Sequence, residues 1–178
     1  RSHCDWSSDV CSSDLIKVDS AGVNYADILR RGGNYPGPGL PSSMGLEAAG
    51  TVTAVGSEVS RISVGQKVMA MGPGSQAEYV GINGNLVFPY PDSLDPVEAG
   101  GMPIVFLTSY HILKSRGHTR PGDTVLVQAG ASGVGTVLIQ LAKAWGAKVI
   151  ATASTQDKLD LCKSLGADIT IKDRKSVV

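Results

Sequence analysis

Between Asp123 and Gly135 the chain reads DTVLVQAGASGVG, an apolar run that ends in Gly130, Gly133 and Gly135. Ser132 stands where the strict G-x-G-x-x-G fingerprint has its second glycine. Residues of this kind at this spacing suit one chemistry. They turn a strand sharply into a helix and keep side chains off the backbone. They also leave the first N–H groups of the helix facing anionic oxygens such as those of a pyrophosphate. Gly130, Ser132, Gly133, Val134 and Gly135 are therefore candidate dinucleotide-binding residues. The alternative is a glycine turn that only lets a helix pack closely. The flanking pattern favours the ligand. TVLVQ at 124–128 predicts a buried strand, and Gly133–Trp145 predicts a helix with Val134, Val137, Leu138, Leu141, Ala142 and Trp145 on one face.

The end of the next strand indicates which dinucleotide. An NAD site wants Asp or Glu about 20 residues past the fingerprint, to hold the ribose hydroxyls. Here the strand runs Val149-Ile-Ala-Thr-Ala-Ser154 without a carboxylate, and Lys158 follows one helical turn later. Ser154 and Lys158 can accept a 2′-phosphate, which favours NADPH. The alternative for Lys158 is a solvated surface lysine.

The elements that must position these residues fall into two textures. From Ile16 to about Tyr90, short Val/Ile/Thr strands broken by Gly, Pro and Asn predict a small barrel or sandwich. A short helix is expected at Tyr25–Arg31, capped by Asn24 and stopped by Gly32, and a loop at Gly33–Ser43. Pro96–Ser115 predicts a helix, kinked or divided at Met102-Pro103. Strands at 124–128, 148–152 and from Asp168 then alternate with helices at Gly133–Trp145 and Ser154–Leu165. This is the pattern of a parallel doubly wound sheet. Ser154-x-x-Asp157 is the expected N-terminal box of the second helix. Cys162 falls on that helix's apolar side, where a buried thiol is expected.

Composition sets outer limits. Of 178 residues, 18% are charged and 42% hydrophobic, with a formal net charge of zero. That balance argues against a polyanion or nucleic-acid binder. No apolar run approaches the roughly 20 residues of a membrane span.

The two ends have a different character. DWSSDVCSSDL near the N-terminus looks like a translated sequencing-library adapter, and the C-terminal DRKSVV looks like the opposite one. The expected organisation is an adapter-like segment at 1–15, a substrate domain at 16–98, a partial nucleotide-binding domain at 99–172, and a second adapter-like segment at 173–178. Lys172 is then of doubtful origin. Without these ends Cys162 is the one remaining cysteine, which fits a reducing cytoplasm. Cut in this way, the chain is expected to be inactive by itself.

The segments GVNYADILRRGGNYPGPGLPSSMGLEAAGTVTAVGSEVSRISVGQKVMAM, AEYV, LTSYHIL and VLVQAGASGVGTVLIQLAK follow in this order. Together they closely resemble the zinc-independent quinone oxidoreductases of the medium-chain dehydrogenase/reductase superfamily. The resemblance implies a GroES-like β-barrel domain followed by the first part of a Rossmann doubly wound sheet, an α/β chain. It implies a full protein about twice this length, a homodimer, with NADPH as cofactor and an active site in the cleft between the domains. Asn24 matches a residue near the nicotinamide, and Thr108 matches one that contacts the nicotinamide from the Rossmann helix. Helix capping by Asn24 and a back-bond from Thr108 to its own helix are the bland alternatives. Leu29 occupies the position of a family tyrosine, and a second such tyrosine would fall at 173. His111 has no motif support.

Zinc-dependent relatives place a Cys where Val23-Asn24 sits and a His-Glu pair where this chain has Leu46-Glu47. A catalytic zinc needs three protein ligands, and two of the three are replaced here. The resemblance thus implies no metal. Without a Lewis acid, the substrate must already accept hydride well, as a quinone or an α,β-unsaturated carbonyl does. An enoyl-thioester reductase and a non-catalytic NADPH-binding protein are the rival expectations. No residue stands out as a proton donor: Tyr25 and Tyr110 are candidates, and solvent suffices for a quinone.

Overall fold

A computed structural model of the chain describes residues 12–36 and 42–173. They form two compact units that part between Ile104 and Val105.

The first unit holds β1 (Ser13–Ala21), α1 (Tyr25–Arg31), β2 (Glu47–Val55), β3 (Lys67–Met71), β4 (Tyr79–Asn83), β5 (Val87–Pro89) and α2 (Pro96–Gly100). Its strands make one antiparallel sheet in the order β4-β1-β2-β3-β5, an open GroES-like half-barrel. Alternate Val and Ile side chains turn inward. Ile16, Val52, Ile62, Val68, Val80, Ile82 and Val87 form its core. The opposite face of β2 is also covered. Ala49 packs with Tyr90 and Ala99, so the small residues of EAAG match a strand buried on both sides. Part of the expected 33–43 loop lies outside the described residues.

The unit boundary falls a few residues later than the sequence pattern suggests. α2 packs on β1 and β2, Ser20 donates its hydroxyl hydrogen bond to the Pro96 carbonyl, and Ile104 N–H donates to Glu47 at 2.7 Å. These contacts tie the chain through Ile104 to the sheet. At the other end, β1 begins inside the adapter-like segment. Strand pairing is a backbone property, so Asp14 continues the ladder opposite Val55 and Ile82 whatever its side chain. That side chain points inward and is fully buried, and neither carboxylate oxygen finds a hydrogen-bond donor.

α3 (Pro103–Tyr110) leads into the second unit, followed by a π-helical turn (His111–Arg116), β6 (Thr124–Val127), α4 (Gly133–Ala144), β7 (Lys148–Ala153), α5 (Gln156–Ser164) and β8 (Ile169–Lys172). The sheet is parallel, in the order β6-β7-β8, the beginning of a Rossmann fold. The expected long helix is therefore divided before Pro103. The π-turn was not foreseen. Its signature is the bond from Gly117 N–H to the Ile112 carbonyl, five residues back, at 2.8 Å.

Val127, Ile139, Ala142, Val149, Ala151 and Cys162 make the second core. Ile139, missing from the single row of apolar positions read along α4, is fully buried. A helix lying on a sheet buries a wider arc than one row. Ser154 does not cap α5. Ala153 still pairs with Lys172, so the chain turns one residue later and Thr155 is the N-cap, without a side-chain bond. Among the described residues no helix is long and apolar enough to cross a membrane.

Candidate active site

The turn between β6 and α4 is built by backbone proximity. Gly130 N–H donates to the Thr152 carbonyl of β7 at 2.8 Å, which locks the end of β6 to its neighbour. A Cβ on Gly130 would lie 2.8 Å from Cys162 Sγ and 3.1 Å from Ala151 Cβ. A Cβ on Gly135 would collide with the Ala129 carbonyl oxygen and lie 2.8 Å from the Gly130 carbonyl carbon. Both glycines are demanded by close approach. The left-handed backbone falls instead on Ala129, at φ 51°. Ser132 is the N-cap of α4: its Oγ accepts from Gly135 N–H at 3.1 Å, and its carbonyl accepts from Thr136 N–H at 2.9 Å. Gly133 and Val134 supply first-turn N–H groups that have no acceptor within their own helix. Ser132 and Gly133 are exposed, so no side chain fills the turn. Residues 130–135 thus meet the physical requirements for a pyrophosphate.

At the C-terminal end of β7, Ser154 is half-buried and Lys158 is exposed on the first turn of α5. The sequence alone gave no carboxylate at this strand end, but the fold brings one. Asp173, just past β8, accepts from Thr152 Oγ1 at 2.9 Å. Cys162 is fully buried beneath the glycine turn, and burial pushes its thiol pKa up. It is a packing residue here.

In the first unit Asn24 is the N-cap of α1, and two carboxylates hold it. Asp27 Oδ2 accepts from Asn24 N–H at 2.8 Å, while Asp27 Oδ1 accepts from Gly45 N–H at 3.2 Å. Asn24 Nδ2 donates to Glu47 Oε1 at 2.7 Å. Asn24 and Asp27 form the capping box of α1, and the Asn24 amide nitrogen is spent on Glu47. Glu47 Oε2 takes the Ile104 N–H. Burial pushes the Glu47 pKa up, the bonds from Ile104 and Asn24 pull it back, and nearby Asp27 pushes the same way as burial. Sequence reasoning noted Glu47 only as the retained half of the His-Glu pair of zinc-dependent relatives. The available signal was a lone acid at the head of EAAGTV, a run otherwise fit for burial.

Thr108 is half-buried on α3, and among the described residues its hydroxyl makes no back-bond to its own helix. Its neighbour Ser109 is fully buried and donates to the Val134 carbonyl at 3.2 Å. That bond ties α3 to the first turn of α4, a role the sequence pattern did not show. Leu29 is half-buried, and Tyr25 and His111 are exposed. Tyr110 packs edge-on against Trp145, ring centres 5.7 Å apart, with Lys114 on the same indole at 5.8 Å. Among the described residues no three His, Cys, Asp or Glu side chains gather as a metal site.

Residues 12–92 match the alcohol dehydrogenase GroES-like domain, and residues 133–178 match the zinc-binding dehydrogenase family. The chain is 41% identical over 158 residues to a quinone oxidoreductase of Pseudomonas aeruginosa, covering 88% of this chain and 49% of that one. It superposes on the structure of Escherichia coli quinone oxidoreductase complexed with NADPH with a TM-score of 0.86, at 32% identity, over 93% of this chain and 51% of that one. It superposes on the CurK enoyl reductase with a TM-score of 0.87, at 28% identity, over 93% of this chain and 53% of that one. The chain spans about half the length of each of these proteins. A GroES-like sheet, a parallel sheet entered through a glycine turn, and these neighbours together establish that the chain belongs to the medium-chain dehydrogenase/reductase superfamily, beside its quinone oxidoreductases.

Proposed function

We propose that the protein to which this chain belongs is an NADPH-dependent oxidoreductase that passes hydride to a quinone or an α,β-unsaturated carbonyl without zinc. The observation that carries this reading is the turn at 130–135. Gly135 is dictated by close backbone approach and Gly130 by the side chains of Cys162 and Ala151, and the mouth of the turn holds no large side chain. Gly133 and Val134 hold the pyrophosphate through their backbone N–H groups at the α4 N-terminus, while Gly130, Ser132 and Gly135, whose N–H groups bond Thr152, Ala129 and Ser132, shape the turn around it. Ser154 and Lys158 hold the 2′-phosphate. Asn24 and Thr108 are the polar groups assigned to the nicotinamide. The bound cofactor supplies a hydride; the protein supplies orientation and exclusion of water. Position 24 offers an amide and position 46 a leucine in place of metal ligands, so the acceptor must be activated by its own conjugation. The compartment is proposed to be the reducing cytoplasm and the assembly a homodimer.

The resemblance to an enoyl reductase supports a second reading, reduction of an enoyl thioester on the same scaffold. NADPH oxidation by the complete protein, with a benzoquinone in one arm and a crotonyl thioester in the other, separates the two. Absence of NADPH binding overturns both. Lys158→Ala is expected to weaken NADPH about tenfold and to leave NADH unchanged, as loss of one exposed charge contact to a 2′-phosphate predicts. Equal loss for both dinucleotides in a titration would count against the 2′-phosphate assignment.

A further inference from the structure

We infer that Glu47 is a positioning residue: its buried carboxylate fixes which way the Asn24 carboxamide faces, so that Asn24 offers an acceptor oxygen to its ligand. This rests on the reading of Asn24 as a nicotinamide-side residue.

The geometry is specific. Glu47 is 2% exposed, at the first position of β2. A carboxylate only accepts hydrogen bonds, so the Asn24 atom 2.7 Å from Oε1 must be the amide nitrogen. The carbonyl oxygen, which faces the Asp27 N–H in the capping box of α1, is then the acceptor Asn24 has to offer, through its second lone pair. The second carboxylate oxygen is fixed in turn by Ile104 N–H, a first-turn donor of α3 that its own helix cannot satisfy. The Asn24 backbone is separately pinned by Asp27. Side chain and main chain of one half-buried residue are thus each held by a buried acid. Glu47 makes no ion pair among the described residues. Burying a carboxylate without a cation costs stability. Two hydrogen bonds, one of them directed wholly at Asn24, offset that cost only in part. The ligand group it suits is a donor, such as a primary amide N–H or a hydroxyl.

Two measurements test this. In the ¹⁵N-labelled chain, the Asn24 side-chain amide protons, which differ even in a free carboxamide, are expected to show one shifted well downfield of its free position and protected from exchange. Glu47→Gln, which must set an amide against one of two donors, is expected to return them to the free-amide region. A free Asn24 amide in the unsubstituted chain overturns the proposal without any variant having to fold. In the complete protein, Glu47→Gln is expected to lower kcat about tenfold with NADPH affinity within about twofold, since misorientation costs rate more than binding. Glu47→Asp is expected to recover part of that loss. The double variant Asn24→Ala/Glu47→Gln should be no slower than Asn24→Ala alone. Additive losses mean that Glu47 acts elsewhere and sink the inference. Failure of the oxidoreductase reading shows differently: NADPH does not bind, while the Asn24 amide signals still report on Glu47.

Discussion

Gly135→Ala is expected to lower the stability of the second unit by about 3 kcal/mol, a strongly overpacked substitution. The new methyl group would sit on the Ala129 carbonyl oxygen and 2.8 Å from the Gly130 carbonyl carbon. These are backbone atoms at the end of a strand that Gly130 N–H locks to β7 at 2.8 Å, so they cannot step aside. Alanine would gain about 1 kcal/mol in helix propensity, which the clash exceeds. Gly133→Ala is the control. A Cβ there meets only Val105 Cγ1, at 3.3 Å. Its fold is expected to stay within about 1 kcal/mol of the parent while NADPH binding in the complete protein weakens, because the methyl group would enter the space left for the pyrophosphate. Urea unfolding followed by circular dichroism and an NADPH titration read the two effects separately. A Gly135→Ala protein as stable as its parent would mean the turn is looser than described.

Asp14→Val is expected to stabilise the first unit by about 1–3 kcal/mol at neutral pH, the usual cost of a buried polar group without partners. Asp14 lies at an inward β1 position in register with Val55 and Ile82, 1% exposed, and neither oxygen is hydrogen-bonded. Valine suits both the pleat and the surroundings. Burial raises the Asp14 pKa above its ordinary 3.8, partly opposed by the charge of Arg61. A raised folded-state pKa means that the native chain binds its proton more tightly than the unfolded one. Stability is then greatest below the ordinary value and falls as pH rises through the folded-state value. The gain from valine should therefore be largest near neutrality and shrink on acidification. Denaturation midpoints across pH 3 to pH 7 check this; a gain independent of pH would point to packing alone. Such a misfit supports the proposal that residues 1–15 are adapter-encoded.

Much of this protein was legible from its residues alone. Period-two Val/Ile runs and 3.6-residue apolar spacing are local properties, so the strands, α1 and α4 and the change from antiparallel to parallel texture were visible without a structure. So was the glycine turn, since a sharp strand-to-helix passage with no room for Cβ leaves few residue choices. What folding alone decided depends on neighbours distant in sequence. Gly130 is needed because Cys162 and Ala151 crowd it, while the left-handed position belongs to Ala129. Ser154 lost its capping role because Ala153 stays paired with Lys172. Glu47 gained its role because Asn24 and Ile104, 23 and 57 residues away along the chain, present donors to its two oxygens. Local pattern reports on the faces an element must bury; which polar group meets which is settled by packing across the sequence, where a buried carboxylate must find its donors or destabilise the fold.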